Sequence, residues 1–429
     1  MNRRAYLAAC GTLSIGGCLK AVTGGSDAPQ PGTVTCAEDL SSSSSNGLGD
    51  GSWPTELHDM QNTGQTDAAG PSGCVETRWT WTQDRRLFGT PVIDEGSAYV
   101  PHSVIDDVSF VVLDVSTGEE QWQYNDFPLT PRQTPTLVDD TLYLVSSSAI
   151  DAVDIQTRTS RWHITFHDEQ NQYDVEGLQT PRVANGFVYL AADVGEVFAL
   201  DEGTGERQWT YDIKGLHPSQ AIEEDNQSQA KARRRGKPFA PIAVTEQRVY
   251  VSSWDLSLHA LDAATGERQW QFSPGTDHLD MMHAPSVVDG TVYTETEDAI
   301  LYVLDAETGE LLWMYDEYGE SSDGVSPVVD ADSVYIIAGT STENLFLIAL
   351  NREDGTVQWE RAVGPPFQYP VADADTIYID EGRNLNAIDK VTGNLKWTLR
   401  LDRALAAPAT IGDAVFFAAD TGGNVYGIW

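Results

Sequence analysis

Short runs in which apolar and polar residues alternate recur along most of this chain. A typical run covers residues 286–288 and is followed by the turn Asp289-Gly290 and a second run at residues 291–293. A period of two is typical of half-buried strands, and Asp-Gly between two such runs predicts a tight hairpin. One proline precedes the first strand of each unit: Pro91, Pro135, Pro181, Pro241, Pro285, Pro327, Pro370 and Pro408. The pattern therefore predicts repeated units of short antiparallel strands.

A second hairpin follows in each unit and ends on a tryptophan. Residues 260–270 read ALDAATGERQW, where Gly is free to take a positive φ and the Asp and Thr oxygens can accept hydrogen bonds from loop amides. The same frame, with Trp ten positions after its first residue, occupies residues 112–122, 152–162, 199–209, 260–270, 303–313, 349–359 and 387–397. Successive tryptophans lie 40, 47, 61, 43, 46 and 38 residues apart, which is typical of propellers. Two hairpins make one four-stranded blade.

The tryptophans are the predicted contacts between blades. Each is expected to lie against the next blade and to bury roughly 150–250 Å². The second and sixth frames depart from Thr-Gly in the hairpin, and we expect altered turns there rather than lost blades. The predicted docking residues are Trp79, Trp122, Trp162, Trp209, Trp270, Trp313, Trp359 and Trp397.

The two chain ends are predicted to share one blade. Eight prolines stand against seven complete frames, and the last repeat, residues 408–429, stops before its fourth strand. Residues 75–81 have no frame of their own, but Trp79 precedes Pro91 by 12 positions, close to the spacing in later blades. Pairing these two segments would remove the free edges of an open row of sheets. The predicted fold is all-β, an eight-bladed β-propeller closed by an N-terminal strand.

These residues carry a family resemblance. The frame resembles the tryptophan-docking motif of the eight-bladed quinoprotein (PQQ-dependent) alcohol dehydrogenases, and of the barrel-assembly lipoprotein that shares their fold without being an enzyme. Residues 52–66, SWPTELHDMQNTGQT, resemble the lead-in of PQQ-like repeat proteins of halophilic archaea. The resemblance covers residues 53–429 and implies a fold more strongly than an activity, because one architecture hosts unrelated functions.

The N-terminus is predicted to be a targeting segment. Residues 1–17 contain Arg3-Arg4 in a context that resembles a twin-arginine signal, and residues 15–18 resemble a lipobox in which Cys18 takes the lipid. An uncleaved N-terminal anchor is the alternative. Residues 18–52 are rich in Ser and Gly and predict a flexible stalk, and residues 53–429 form the propeller. The predicted location is the outer face of the cytoplasmic membrane.

Two cysteines remain beyond the signal. Cys36 and Cys74 are an even pair in an exported chain, which favours a disulfide between them. Such a bond would tie the stalk to the strand that closes the ring. Two free thiols are the alternative.

The chain is strongly acidic. It has 26 basic and 65 acidic residues and a net charge of −39, which argues against a nucleic-acid partner. Acid excess with scarce Lys favours a protein solvated for very high salt. An acidic exported protein in ordinary salt is the alternative.

Two loop clusters are candidate sites. The blade-to-blade connections and middle turns share one face and collect most histidines; among them His278, Asp280 and His283 could ligate copper or zinc. Solvated loop polar groups are the alternative. The second cluster is a basic run that could dock an acidic partner or anionic lipid, unless neighbouring acids neutralise it. Its cations are Lys231, Arg233, Arg234, Arg235 and Lys237.

Three functions follow from these features. We expect a membrane-anchored, monomeric ring that binds a protein partner with its long-loop face and is not an enzyme. The family resemblance alone implies PQQ and calcium, but the adjacent cysteines and Cys-x-x-Cys-His motif that would accompany a dehydrogenase are absent from the sequence. No catalytic residue is assigned. A carbohydrate-binding module, resting on the aromatics Trp254 and Tyr369, is the third alternative.

Overall fold

The computed structural model describes the chain over a series of ranges that begins near residue 33. No helix is assigned within them, and hence none that is long and apolar enough to cross a membrane. The described ranges are 33–37, 52–68, 70–71, 73–82, 86–87, 89–104, 107–124, 134–166, 177–193, 195–213, 240–253, 257–274, 283–296, 298–318, 320–321, 326–341, 343–366, 368–412 and 415–429.

Seven blades are each built from four strands that are consecutive in the chain. The first three blades are β4 (Val92–Asp94), β5 (Ser97–Val104), β6 (Asp107–Asp114), β7 (Glu120–Tyr124); β8 (Thr136–Val138), β9 (Thr141–Val145), β10 (Ala149–Asp154), β11 (Thr159–Thr165); and β12 (Arg182–Ala184), β13 (Phe187–Ala192), β14 (Glu196–Asp201), β15 (Arg207–Asp212). The next two are β16 (Ala243–Val244), β17 (Arg248–Ser253), β18 (Ser257–Asp262), β19 (Arg268–Phe272); and β20 (Ser286–Val288), β21 (Thr291–Glu295), β22 (Leu301–Asp305), β23 (Leu311–Tyr315). The last two are β25 (Val328–Val329), β26 (Ser333–Ser341), β27 (Asn344–Asn351), β28 (Val357–Val363); and β29 (Val371–Ala372), β30 (Thr376–Glu381), β31 (Asn384–Asp389), β32 (Leu395–Arg400).

A further four-stranded sheet, built from both ends of the chain, closes the ring. It joins β33 (Thr410–Gly412), β34 (Val415–Ala419) and β35 (Asn424–Ile428) to β2 (Thr77–Thr82), which comes from the other end of the chain. Within it Trp79 lies opposite Gly427, and Trp81 opposite Val425. The predicted pairing of the two chain ends is thus confirmed. Contacts between β33 and β4 bring this sheet against the first blade.

This arrangement corrects the predicted eight-bladed propeller of four-stranded sheets. Seven blades, not eight, are built from consecutive strands, whereas β33, β34 and β35 take β2 as their fourth strand. The sheet that follows is a composite of both chain ends. Three sheets also have a fifth strand: β1 (Val34–Cys36) pairs with β32, β3 (Arg86–Leu87) with β5, and β24 (Glu320–Ser321) with β26.

The stalk contributes one of these extra strands. Val34–Cys36 were assigned to a flexible stalk from their composition, but they pair antiparallel with β32, where Cys36 lies opposite Trp397. The structure joins Cys36 to Cys74 in a disulfide with the two Cα atoms 5.7 Å apart. Residues just outside the ring are therefore fixed both to the seventh blade and next to the closing strand.

The frame hairpins form as the sequence predicts. In the fifth blade Asp305 Oδ1 accepts hydrogen bonds from the backbone N–H of Thr308 at 2.8 Å and from its hydroxyl at 2.8 Å. These hydrogen bonds lower the pKa of Asp305. The loop amides are thus satisfied by a side chain within the turn.

The glycine of each frame hairpin lies on the tryptophan of the preceding blade. Gly309 has φ +74°, and a Cβ added there would lie 2.6 Å from the ring of Trp270. The indole Nε1 of Trp270 donates to the carbonyl of Ala306 in the same hairpin at 3.1 Å. Equivalent hydrogen bonds join Trp79 to Val115, Trp162 to Glu202, Trp209 to Ala263, and Trp359 to Lys390. Indole and glycine are therefore complementary halves of one inter-blade joint.

The second blade makes this joint differently. Arg158 takes the place of the glycine with a positive φ of 59°, and its guanidinium lies 5.2 Å from the ring centre of Trp122. A cation–π contact thus replaces the close approach of a glycine. The altered turn that the sequence predicted retains the docking of the blade.

The hydrophobic core lies between neighbouring blades rather than within a single layer. One cluster joins Tyr143 and Ala152 of the second blade to Val188 and Phe198 of the third, and comparable clusters join other adjacent pairs. Both faces of a blade are covered in this way, so the middle strands are apolar on both sides.

Candidate functional site

The inside of the ring is occupied by a segment that precedes the blades. We call residues 53–68 the axial segment. The first strand of each of the seven blades donates a backbone N–H to it at 2.7–3.3 Å. In chain order the pairs are Ile93 to Trp53 O, Leu137 to Pro54 O, Val183 to Met60 Sδ, Val244 to Met60 O, Val287 to Gln61 O, Val329 to Thr63 O and Ala372 to Gly64 O. The inner edges of the blades, which would otherwise carry unpaired donors, are thereby satisfied.

The axial segment curves because several of its residues adopt left-handed backbone conformations. Leu57, His58, Asn62 and Gly64 have φ values of 59°, 73°, 60° and 69°. Asn and Gly tolerate this region best, and surrounding contacts must hold the other two there. The result is a path that meets the blades in their order along the chain.

Asn62 is the most completely satisfied side chain of the segment. Its Nδ2 donates to the carbonyls of Pro241 and Pro285 at 3.2 and 3.0 Å. Its Oδ1 accepts from Arg182, whose Nη2 lies at 2.6 Å. The side chain is fully buried, so each of these groups would be costly to leave without a partner.

Arg182 supplies a buried positive charge inside the ring. It is fully buried and also donates to the Thr55 hydroxyl at 2.8 Å and to the Glu56 carbonyl at 3.0 Å. Burial lowers the pKa of Arg182 to about 10, while the charges of Glu56 and Asp59 act in the opposite direction. The guanidinium therefore remains protonated at neutral pH and ties three parts of the segment to the third blade.

At one place the axial segment meets the residues that end several blade-to-blade connections. We call Glu56, Leu57, Thr180 and Tyr369, with the small apolar residues Ala240 and Ala284, the axial mouth. Thr180, Ala240, Ala284 and Tyr369 each directly precede the proline that begins a blade, so they end blade-to-blade connections. Leu57, Ala240 and Ala284 pack together with Tyr369 against them.

Polar groups lie beside this apolar cluster. A carboxylate oxygen of Glu56 accepts a hydrogen bond from the Thr180 hydroxyl at 2.7 Å. Burial raises the pKa of Glu56. Burial, together with the charge of Glu56, also raises the pKa of the Tyr369 phenol. The mouth thus combines a phenol and a hydrogen-bonded carboxyl with an apolar floor, a composition suited to binding.

His283 is not a solvated loop ligand. Its side chain is buried, and burial lowers the pKa of its imidazole to about 4. Its backbone N–H donates to the backbone carbonyl of Glu295 at 2.8 Å. Glu295 is also fully buried, and its carboxyl has no hydrogen-bond partner among the described residues. Burial raises the pKa of Glu295 well above its usual value. A neutral imidazole and a protonated carboxyl are therefore carried by two residues whose backbones are hydrogen-bonded to each other.

Other predicted site residues lie outside the described residues. They are Cys18, Lys231, Arg233, Arg234, Arg235, Lys237, Trp254, His278 and Asp280. Within the described part of the chain, no three His, Cys, Asp or Glu side chains come together in a group that could hold a metal ion. The proposed histidine-rich metal site therefore stays a prediction.

The residues described on the axis do not fit PQQ with calcium. The carboxylate of Glu56 is bound by Thr180, and that of Asp59 accepts hydrogen bonds from the backbone of Gln61 and Thr63 and from the Thr63 hydroxyl. The space inside the blades' first strands is taken by the axial segment itself. We therefore derive no oxidation step through that cofactor.

Sequence reasoning missed the axial segment, although two signals were present. Arg182 directly follows Pro181, at a position where the other complete repeats have uncharged residues. An arginine at the start of a buried strand requires buried acceptors, and these could have been sought outside the repeats. The other signal is the sequence of residues 52–66, which lies outside the repeats and resembles the lead-in of PQQ-like repeat proteins.

Fold and joints together define a β-propeller of tryptophan-docked repeats. A family profile described as outer membrane protein assembly factor BamB matches residues 75–228, 225–369 and 347–428. The chain therefore belongs to this family.

The relatives of known name include an assembly factor and an alcohol dehydrogenase. BamB of Xanthomonas campestris is 36% identical over 265 residues, which cover 58% of this chain and 61% of the relative. A quinohemoprotein alcohol dehydrogenase of Comamonas testosteroni is 35% identical over 114 residues, which cover 26% of this chain and 15% of the relative. The matched region is thus less than two thirds of either relative.

Solved structures of both kinds share the fold. A europium-containing methanol dehydrogenase superposes with a TM-score of 0.68 at 12% identity, over 88% of this chain and 98% of that one. BamB from Moraxella catarrhalis superposes with a TM-score of 0.60 at 18% identity, over 82% of this chain and 99% of that one. At such identities the likeness concerns the fold alone.

Proposed function

We propose that this chain is a non-enzymatic binding or assembly scaffold that holds a protein partner with its long-loop face. The axial mouth is the observation that carries the proposal. It presents Tyr369 and Glu56 beside an apolar floor, on a ring that seven blades fix through hydrogen bonds to one segment. Aromatic residues beside apolar patches are typical of binding surfaces. Membership of a family described as an assembly factor supports the same function.

Capture of a partner from host membranes by chemical cross-linking tests this function. Tyr369→Ala should weaken capture, because it removes a ring that packs on the apolar floor of the mouth. Val391→Ala, at a side chain that is 85% exposed elsewhere, should leave capture unchanged. Equal capture by wild type and Tyr369→Ala would contradict binding at the mouth.

We further propose that the ring is exported and anchored by a lipid on Cys18, at the outer face of the cytoplasmic membrane. The twin-arginine and lipobox features of residues 1–18 support this location. Replacement of Cys18 by Ser should release the protein into the medium. Retention on the membrane would contradict lipidation and favour an uncleaved anchor. Outer-membrane assembly is the role named for the bacterial relatives, and it is not proposed for this chain.

A quinoprotein dehydrogenase is the alternative function, and the names of several relatives favour it. Addition of PQQ and Ca²⁺ to the purified protein tests it directly. A cofactor absorbance that persists through gel filtration, together with dye reduction by alcohols, would establish the dehydrogenase. Loss of the absorbance on gel filtration would agree with the arrangement of the axial residues.

A further inference from the structure

The outer strand of the fifth blade differs from its counterparts in the other blades. The residues on either side of the docking tryptophan are Leu312 and Met314 in this blade. Every other complete repeat has polar or charged residues at both positions: Gln121 and Gln123, Arg161 and His163, Gln208 and Thr210, Gln269 and Gln271, Gln358 and Glu360, Lys396 and Thr398. The frame itself therefore does not require apolar residues there.

The apolar residues of this strand are exposed. Leu311, Leu312 and Met314 are 47%, 55% and 48% exposed, and Val357, which begins the outer strand β28 of the next blade, is 44% exposed. They account for most of the exposed large hydrophobic residues among those that the structure describes. Leu312 and Met314 are two positions apart and therefore share one face of the strand. Exposed apolar side chains that lie together mark an interaction site more often than single ones do.

A cleft lies between the two outer strands. Its volume is about 610 Å³, and its walls include Met314, Tyr315, Val357 and Tyr318. Tyr315 is only 6% exposed, and its hydroxyl has no hydrogen-bond partner among the described residues. A buried phenol of this kind is costly unless a ligand completes it.

The cleft is acidic and is bounded by a strand edge. Asp316, Glu317 and Glu360 line it, so its charge favours a cationic ligand. Strand β23 is the last strand of its sheet, and no described strand pairs with its outer edge. A free edge of this kind is a template for an added strand.

The molecule already uses such an edge once. Strand β1 pairs antiparallel with β32, the outer strand of the seventh blade, with Val34 opposite Leu399 and Cys36 opposite Trp397. Outer strands of this ring are therefore able to accept a further strand from outside the blade. In the fifth blade the neighbouring surface is apolar and acidic instead of polar.

We propose that the cleft between β23 and β28 binds an extended segment of a partner protein, in which apolar residues alternate with Lys or Arg and which pairs with the outer edge of β23. This inference rests on the proposed scaffold function and assigns it a second contact surface, on the outer rim. A segment of about five residues, roughly 17 Å long, matches the length of β23. A second copy of this chain is disfavoured because it would bring two acidic clefts together.

Peptide binding tests the proposal. The probe is a fluorescein-labelled six-residue peptide of alternating Val and Lys, followed by fluorescence anisotropy against the full chain. Glu in place of Lys should abolish binding, because the carboxylates of the cleft repel it. N-methylation of alternate backbone amides should also abolish binding, because it removes the donors that pair with β23. Equal binding of all three peptides would overturn the proposal.

Variants of strand β23 beside the cleft complete the test. Leu312→Gln with Met314→Gln introduces the residue type that other blades carry, so folding should be kept while binding weakens at least about tenfold. Tyr315→Phe keeps the ring and should weaken binding less. Val391→Gln removes another exposed apolar residue and should leave affinity unchanged. An equal loss in the Val391 and double variants would overturn a site at the cleft.

Three further results separate this proposal from the others. Sedimentation that shows a wild-type dimer dissociated by the double variant would mean that the cleft joins two copies, which overturns the peptide site. Partner capture that depends on Tyr369 but not on Leu312 and Met314 would overturn the rim site and leave the proposed function standing. Peptide binding at the rim with no partner captured through the mouth would do the reverse.

Discussion

Arg182 is the residue on which the inside of the ring depends. It donates to Thr55, to the Glu56 carbonyl and to Asn62, and it carries the positive charge that faces the carboxylates of Glu56 and Asp59. Removing one member of such a buried set leaves the others without partners, which costs more than the set contributes when complete. Its function is therefore to position the axial segment rather than to perform chemistry.

Replacement of Arg182 by Met should lower the free energy of unfolding by about 3 to 5 kcal/mol, because Asn62 Oδ1 and the Glu56 carbonyl lose a buried donor and the carboxylates of Glu56 and Asp59 lose a nearby positive charge. Urea unfolding measures the loss. Arg161→Met removes an arginine whose ion pair with Asp154 lies at the surface, and it should change stability little. Equal effects of the two substitutions would contradict the role assigned to Arg182.

Glu295 gives the protein a predictable pH dependence. Burial raises the pKa of its carboxyl in the folded state. The unfolded chain therefore loses this proton at a lower pH than the folded chain, and the contribution of Glu295 to stability weakens as pH rises above about 4.5. His283 acts in the opposite sense, since its lowered pKa costs stability as pH falls from about 6.5 towards 4.

Glu295→Gln should consequently gain stability over the wild type as pH rises, by up to about 1.4 kcal/mol per pH unit until the carboxyl ionises in the folded state. Urea unfolding between pH 6.5 and 8.5 measures the difference above the range in which His283 titrates. Glu310→Gln, at an exposed residue of the same blade, is the control and should show no such trend. A difference that stays constant with pH would contradict a buried protonated carboxyl.

At the level of elements, the joint between blades explains why the frame ends on a tryptophan and contains a glycine. The glycine needs a positive φ and also has to lie against an indole ring. Gly290 and Gly309 separate these two requirements. Both have φ near +75°, but a Cβ at Gly290 would meet nothing within 4 Å, whereas one at Gly309 would lie 2.6 Å from Trp270.

Gly290→Ala should cost about 1 to 2 kcal/mol through backbone strain alone. Gly309→Ala should cost a further 1 to 3 kcal/mol or so, because the methyl group also forces the indole away. Thermal unfolding of both variants checks the order. Equal losses would mean that the ring contact adds nothing to the backbone requirement.

The sequence predicted the elements well because they repeat. Alternation, the Asp-Gly and Thr-Gly turns and the fixed position of Trp are local signals, and they placed the strands and the pairing of residues 77–82 with the C-terminal strand. Segments that occur once were harder to interpret. Val34–Cys36 were assigned to a stalk because composition does not reveal a strand that gains its stability from the edge of β32. The axial segment was missed for the same reason.

The candidate sites show the same limit. The proposed rim site includes Met314, which lines the cleft, and Leu312 on the same strand. Both residues differ from the consensus of the repeats and are visible in the sequence as departures from it. The axial mouth could not be derived, because it gathers Glu56, Thr180 and Tyr369 from positions far apart in the chain. Only the closed ring brings these residues together.

At the scale of the whole molecule, the net charge affects stability. A net charge of −39 opposes compaction through self-repulsion, and dissolved salt screens this repulsion. The melting temperature should therefore rise with KCl into the molar range, as expected for a protein solvated for high salt. Melting in a KCl series checks this, with sucrose as an uncharged control that should not reproduce the rise at low concentrations. Maximal stability near physiological salt would contradict the prediction.

The ribosome synthesises the axial segment before any blade. From Trp53 to Gly64 its residues meet the first to the seventh blade in the order in which those blades emerge. Each newly made blade can therefore pair with the next acceptor atom of a segment that is already present. The axial segment would thus act as a template with acceptors for seven blades. A chain lacking one internal repeat would leave one of these acceptors without a partner.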